Sequence, residues 1–155
     1  MSGTSGTGVP TTIVVGTDGS ATAERAVHKA TALAKAVGAE LIVISAFSNR
    51  APAGVAAAGI AIDSGWVAAA QGAAETVARE AAERAKAAGV AAVSYQAVGG
   101  EPSEALIHVT QEQGADLLVV GSKGMQSTAR FLLGPVANKV SRKVDCDLLI
   151  VETSE

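Results

Sequence analysis

A single doubly wound α/β domain, with a five-stranded, mainly parallel sheet covered by helices on both faces, is the fold this sequence predicts. Three observations predict it. Strand-like and helical segments alternate along the chain. The strand-like runs are continuously apolar rather than alternating, as in strands buried on both faces. At 155 residues and 48% hydrophobic content the chain suits one sizeable core and would be cramped as two.

Five short runs read as strands: TIVVGT from Thr12, ELIVISAF from Glu40, VAAVSYQAV from Val90, ADLLVVG from Ala115 and DLLIVET from Asp147. Between the first two, residues 21–37 place Ala26, Val27, Ala30, Leu33, Ala34 and Val37 at helical spacing, with Ser20 as N-cap and Gly38 as the stop. An alanine-rich helix follows over about 68–88, carrying Glu75/Arg79 and Glu80/Arg84 at i,i+4. A third helix starts at EPSEAL, where Pro102 suits the first turn, and stops near Gly114; a fourth covers about 135–143. The stretch 47–66 interrupts the pattern with alanine and glycine and reads as a loop or lid. Residues 1–11 read as a flexible tail and 12–155 as the domain.

Composition narrows the function. Fifteen acidic against 12 basic residues give a net charge of −3, and no basic run is present, so nucleic acid is not an expected partner. The opening MSGTSGTGVPT has neither the cationic start nor the apolar stretch of a secretory signal. No uncharged apolar run approaches the roughly 20 residues of a membrane span. The single Cys146, in an apolar setting, reads as a reduced and partly buried thiol, and the expected compartment is the cytoplasm.

In an open parallel sheet, ligands settle beyond the carboxyl ends of the strands where the crossovers diverge. Two glycine-containing turns should meet there: VGTDGS (residues 15–20) after strand one, and GSKGMQSTARFLLGPV (residues 121–136) after strand four. Such a loop can aim backbone N–H groups at an anion, and the helix that follows adds about half a positive charge. Asp18, on the other turn, suits a neighbouring diol because a carboxylate accepts hydrogen bonds. Glycine after a strand also serves simply as a turn, and Asp18 also serves to cap the first helix. Neither GxxxxGK[ST] nor GxGxxG occurs in the chain, which leaves a generic NTPase or dehydrogenase without support.

With VGTDGS and the spacing Gly121-x2-Gly124-x9-Gly134 in view, the chain from Thr12 to Thr153 resembles the universal stress protein family. The resemblance implies a Rossmann-like domain that binds ATP, usually as a dimer and without strong enzymatic activity. By position it implies that Gly121, Gly124 and Gly134 cradle phosphates, Asp18 meets the ribose and Ala46 lies near the adenine. Gly16, Thr17, Val120 and Val136 flank these positions, and Ser122, Lys123 and Arg130 stand where side chains support the loop or the phosphates. One position departs from the pattern: Pro135 replaces the family's Ser or Thr, removing a hydroxyl and an N–H. A weaker ATP site, an AMP or cyclic AMP site, or a nucleotide-free interaction module are the readings this opens.

A magnesium or manganese ion, if used, would be held through phosphate oxygens rather than by a protein ligand set. A phosphoacceptor role for Asp18 lacks the acidic cluster such sites need. His28 and His108 lie within helices with no triad partner and read as surface residues. Trp66 and Tyr95 read as a helix-start anchor and a strand residue. The homodimer is expected through the last strand, whose edge would otherwise leave backbone groups unpaired.

Overall fold

The computed structural model describes residues 8–49, 64–123 and 133–153. Its elements, in chain order, are β1 (Thr12–Gly16), α1 (Ala21–Val37), β2 (Glu40–Phe47), α2 (Ser64–Ala88), β3 (Val93–Gly99), α3 (Pro102–Glu112), β4 (Leu117–Gly121), α4 (Pro135–Lys143) and β5 (Asp147–Val151). The strands form one sheet in the order β3-β2-β1-β4-β5, every neighbouring pair parallel.

Continuous apolar runs are explained by the two faces they serve. Ile13, Val15, Leu41, Val43 and Val119 pack with α1 and α2 on one side. Val14, Ile42, Ile44, Leu118 and Val120 pack with α3 and α4 on the other. Successive strand residues point to opposite faces, so a sheet covered twice needs apolar residues at every position. The crossovers leaving β1 and β4 therefore depart to opposite faces, and the two strands are neighbours at the centre of the sheet.

Helix ends decide the boundaries. Ser20 Oγ accepts the Ala23 N–H at 3.2 Å, and Gly38 ends α1 in the left-handed region, both as the sequence predicts. Two expected strands begin later than predicted, for one reason. Val90 and Ala115 follow the helix-ending Gly89 and Gly114, and their N–H groups bond back to Ala85 and Thr110 carbonyls at 3.2 and 2.9 Å. That pairing closes the helix and tucks the apolar residue beneath it, so β3 starts at Val93 and β4 at Leu117. Helix α2 starts at Ser64, ahead of the predicted 68. Residues 50–63 of the expected 47–66 loop lie outside the described residues; Phe47 closes β2 and Trp66 sits in the first turn of α2, 43% exposed.

Asp116 fastens the start of the sheet. Its carboxylate accepts the Thr11 N–H at 3.0 Å, the Thr12 N–H at 3.0 Å and the Thr11 hydroxyl at 3.2 Å, so Thr11, the last residue of the expected tail, is already tied to the domain. Burial pushes the Asp116 pKa up, but the hydrogen bonds from Thr11 and Thr12 outweigh it and hold the carboxyl below its ordinary value.

Candidate functional site

Where the crossovers from β1 and β4 diverge, a cleft of about 320 Å³ opens beyond the carboxyl ends of β1, β2 and β4. Gly16, Thr17 and Asp18 form its β1 side, Ile44 and Ala46 its β2 side, and Val120, Gly121 and Lys123 its β4 side. Two helices complete it: α3 with Pro102 and Leu106, and α4 with Pro135, Val136 and Ala137 behind Gly134. The walls are mostly apolar, as in small-molecule sites generally.

The glycines have protein neighbours that require them. A Cβ on Gly16 would lie 2.9 Å from both terminal carbons of Leu106, so glycine lets α3 close onto the floor of the cleft. A Cβ on Gly121 would lie 3.0 Å from Thr153 Cγ2, so Thr153, just past β5, can pack against the end of β4. Gly124 and Arg130 lie outside the described residues.

Ser122 does not line the cleft. It is 8% exposed, and its hydroxyl reaches Glu152 Oε1 at 3.2 Å and Thr153 Oγ1 at 3.3 Å. Nor do the root amides of the glycine loop point at a ligand. Ser122 N–H donates to the Val151 carbonyl at 2.7 Å, Lys123 N–H to Thr153 Oγ1 at 3.1 Å, and Gly134 N–H to the Ser122 carbonyl at 2.7 Å. Among the described residues, the donors left at this end belong to α4. Its ladder starts with Asn138 N–H on Gly134 O at 2.9 Å, Pro135 has no N–H, and the N-cap Gly134 has no side chain to cap the helix, so the Val136 and Ala137 amides at the cleft wall lie outside the ladder.

Asp18 sits on the opposite rim in a compact turn. Its Oδ1 accepts the Ser20 N–H at 2.9 Å, and Thr17 Oγ1 accepts the Gly19 N–H at 3.1 Å. The turn requires Gly19 at φ 82°, and it holds Asp18 exposed at the cleft while Thr17 is buried. The helix itself is capped by Ser20, Asp18 Oδ1 only closes the turn before it, and the carboxylate keeps further lone pairs for a ligand.

The two helix N-termini at the cleft differ in charge. Helix α3 is capped by Glu101, which accepts from the Ser103 hydroxyl and from the Ser103 and Glu104 N–H groups at 3.3 and 3.2 Å, with Lys139 of α4 at 3.7 Å. Burial raises the Glu101 pKa, but its bonds to Ser103 and Glu104 and the Lys139 charge prevail and hold the carboxyl ionised below its usual range. The positive end of α3 is thereby quenched, while that of α4 is left for a ligand.

Pro102, Leu106, Ile44, Ala23 and Ala137 were not singled out by the sequence. The i,i+4 spacing of Pro102 and Leu106 on a helix starting at the same sheet edge was the signal available for two of them. His28 and His108 are exposed, and His108 lies 3.6 Å from Glu112. Among the described residues no group of three or more His, Cys, Asp or Glu is placed to hold a metal, and no helix is long and apolar enough to cross a membrane.

Strand order and cleft position together define a doubly wound α/β domain whose site lies at the topological switch point. The family model for the universal stress protein family matches residues 10–152, and the chain belongs to that family. Universal stress protein Rv1636 of Mycobacterium tuberculosis is 39% identical over 143 residues, spanning 92% of this chain and 97% of the relative. A crystal structure of a universal stress protein in complex with cAMP is 38% identical, with a TM-score of 0.70 over 94% of this chain and 99% of that one. Universal stress protein UspA from Lactobacillus plantarum, at 20% identity and a TM-score of 0.76 over 91% of this chain and 97% of its own, shares the fold.

Proposed function

We propose that this cleft binds an adenine nucleotide, with the base between Ala46 and Val120, the ribose hydroxyls on Asp18 and a phosphate at the first turn of α4. The observation that carries the reading is the pairing of an exposed carboxylate with an uncapped helix N-terminus on one mostly apolar cleft. A base wants apolar walls, a ribose wants acceptors, and a phosphate wants amides at a positive helix end. A universal stress protein 38% identical to this chain was solved in complex with cAMP, which supports an adenine nucleotide as the class of ligand.

Within this reading a nucleotide carrying one phosphate, cyclic AMP or AMP, ranks ahead of ATP. Pro135 contributes neither of the two donors that the family pattern provides, and the amides of Ser122 and Lys123 are committed to the protein. Each missing donor weakens a polyphosphate by about 0.5–3 kcal/mol. The bound nucleotide acts as a regulatory ligand that shifts conformations, not as a substrate, and a metal ion enters only with phosphate oxygens. The setting we propose is cytoplasmic. The assembly is a homodimer through β5, which lies at one end of the sheet.

Calorimetric titration of ligand-stripped protein with cyclic AMP, AMP and ATP, beside Pro135→Ser, tests this. Cyclic AMP and AMP should bind more tightly than ATP, and the serine variant should recover ATP affinity by about tenfold or more, a single donor to a charged phosphate being worth about 1.5–3 kcal/mol. If a correctly folded protein binds none of the three, the nucleotide reading is wrong, and the domain works as an interaction module through its surfaces.

A further inference from the structure

Thr153, the second residue after β5, is better placed to govern phosphate binding than its distance in sequence suggests. Thr153 is fully buried, and its hydroxyl accepts the Lys123 N–H at 3.1 Å and donates to the Lys123 carbonyl at 3.2 Å. Its own N–H donates to Ser122 Oγ at 3.1 Å, and its methyl would lie 3.0 Å from a Cβ on Gly121, a tight contact. Ser122 in turn accepts the Gly134 N–H through its carbonyl at 2.7 Å, and Gly134 leads directly into α4. One side chain therefore holds both the exit of β4 and, through Ser122, the entry of α4.

We propose that Thr153 is the positioning residue of the phosphate subsite: it touches no ligand, but fixes the Lys123 backbone and the α4 N-terminus at the spacing a phosphate needs. The proposal rests on the nucleotide reading above. Without the hydroxyl, the part-buried N–H and C=O of Lys123 lose the bonds that Thr153 makes to them, which frees the Ser122–Lys123 segment to shift. Asp18 stands on the β1 turn and Ala46 on β2, and Val120 is held inside β4 by its sheet pairing with Ile150, so the base and ribose contacts do not depend on the Thr153 bonds.

That separation supplies the test. Thr153→Val keeps the shape and removes the hydroxyl; Thr153→Ser keeps the hydroxyl; affinities for adenosine and for AMP are measured on each by calorimetry. The valine variant should hold adenosine within about twofold and lose about tenfold for AMP, the size of one good hydrogen bond, while serine retains the wild-type ratio of the two affinities. Equal losses for both ligands, or none for either, overturn the proposal, because a merely structural role would not separate phosphate from nucleoside. If the valine protein does not fold, Thr153→Cys, with its weakly bonding thiol, is measured instead. An unchanged ratio in that variant is equally decisive against the proposal. Failure of the wild-type protein to bind adenosine or AMP is the distinct result that removes the nucleotide reading itself.

Discussion

Replacing Gly16 with alanine should destabilise the wild-type protein and stabilise the Leu106→Ala protein. The added methyl would lie 2.9 Å from both Leu106 terminal carbons, closer than any real contact, and Leu106 is only 4% exposed, with little room to turn away. Overpacking of this kind costs about 1–3 kcal/mol. Gly16 ends a strand and is not among the positive-φ glycines, so alanine also removes freedom from the unfolded chain, a gain of about 0.4–1 kcal/mol. The net in wild type is a loss of up to about 2.5 kcal/mol, or a melting temperature lower by as much as about 10 °C for a domain of this size. In Leu106→Ala, itself about 2–5 kcal/mol less stable, the clash partner is gone and only the gain remains. Urea unfolding of the four proteins in the cycle gives the coupling, expected at about 1–3 kcal/mol. The same sign and size of effect in both backgrounds would refute the idea that Leu106 is what keeps position 16 bare.

Three further outcomes follow from the same geometry. Asp18→Ala should weaken adenine-nucleotide binding by about tenfold in calorimetry while costing only about 0.5–1.5 kcal/mol of stability, the worth of its bond to Ser20. Asp116 has its carboxyl held below the ordinary 3.8, so its stabilising effect is complete above that value and fades as the pH falls through the lower folded-state value. Between pH 5 and about 2 the stability of Asp116→Asn, followed by circular dichroism melts, should therefore fall less steeply than that of wild type. Burial, then the neighbouring Asp145 and Asp147 charges, push the Cys146 thiol up, so alkylation by iodoacetamide at pH 8 should be slow in the folded protein and accelerate on denaturation.

What the sequence discloses depends on how near each cause lies to its effect. Helices α1 and α4 have the predicted bounds because their signals, Ser20, Gly38 and Pro135, adjoin the ends they set. Val90 and Ala115 look like strand residues but are taken up by the helix ends before them, a use that pattern alone does not distinguish from the first residue of a strand. On the site, the residues at the carboxyl ends of β1, β2 and β4 were legible because each stands in the last residues of a strand or in the turn that leaves it. Leu106 was not, since it reaches the cleft from within a helix. Asp116 and Thr153 were invisible for a plainer reason: their partners lie 105 and 30 residues away, and each looks like an ordinary polar residue at the edge of an element.

Glycines at the strand exits were the most conspicuous signal of the site, and two of them, Gly16 at the end of β1 and Gly121 in the spaced set, have Leu106 and Thr153 packed against them. The two readings of such a pattern, turn-making and ligand cradle, are therefore not exclusive. Packing α3 against Gly16 and the β5 exit against Gly121 is what brings Leu106 and the α4 N-terminus to the cleft in the first place. It follows that loss of binding on substituting either glycine would report a damaged scaffold and carry no information about the ligand. Asp18 and Pro135 lack that ambiguity. Asp18 is exposed on the rim, and Pro135 already satisfies the first turn of its helix without an N–H, so changes there alter donors and acceptors offered to the cleft while the packing beneath stays as it is.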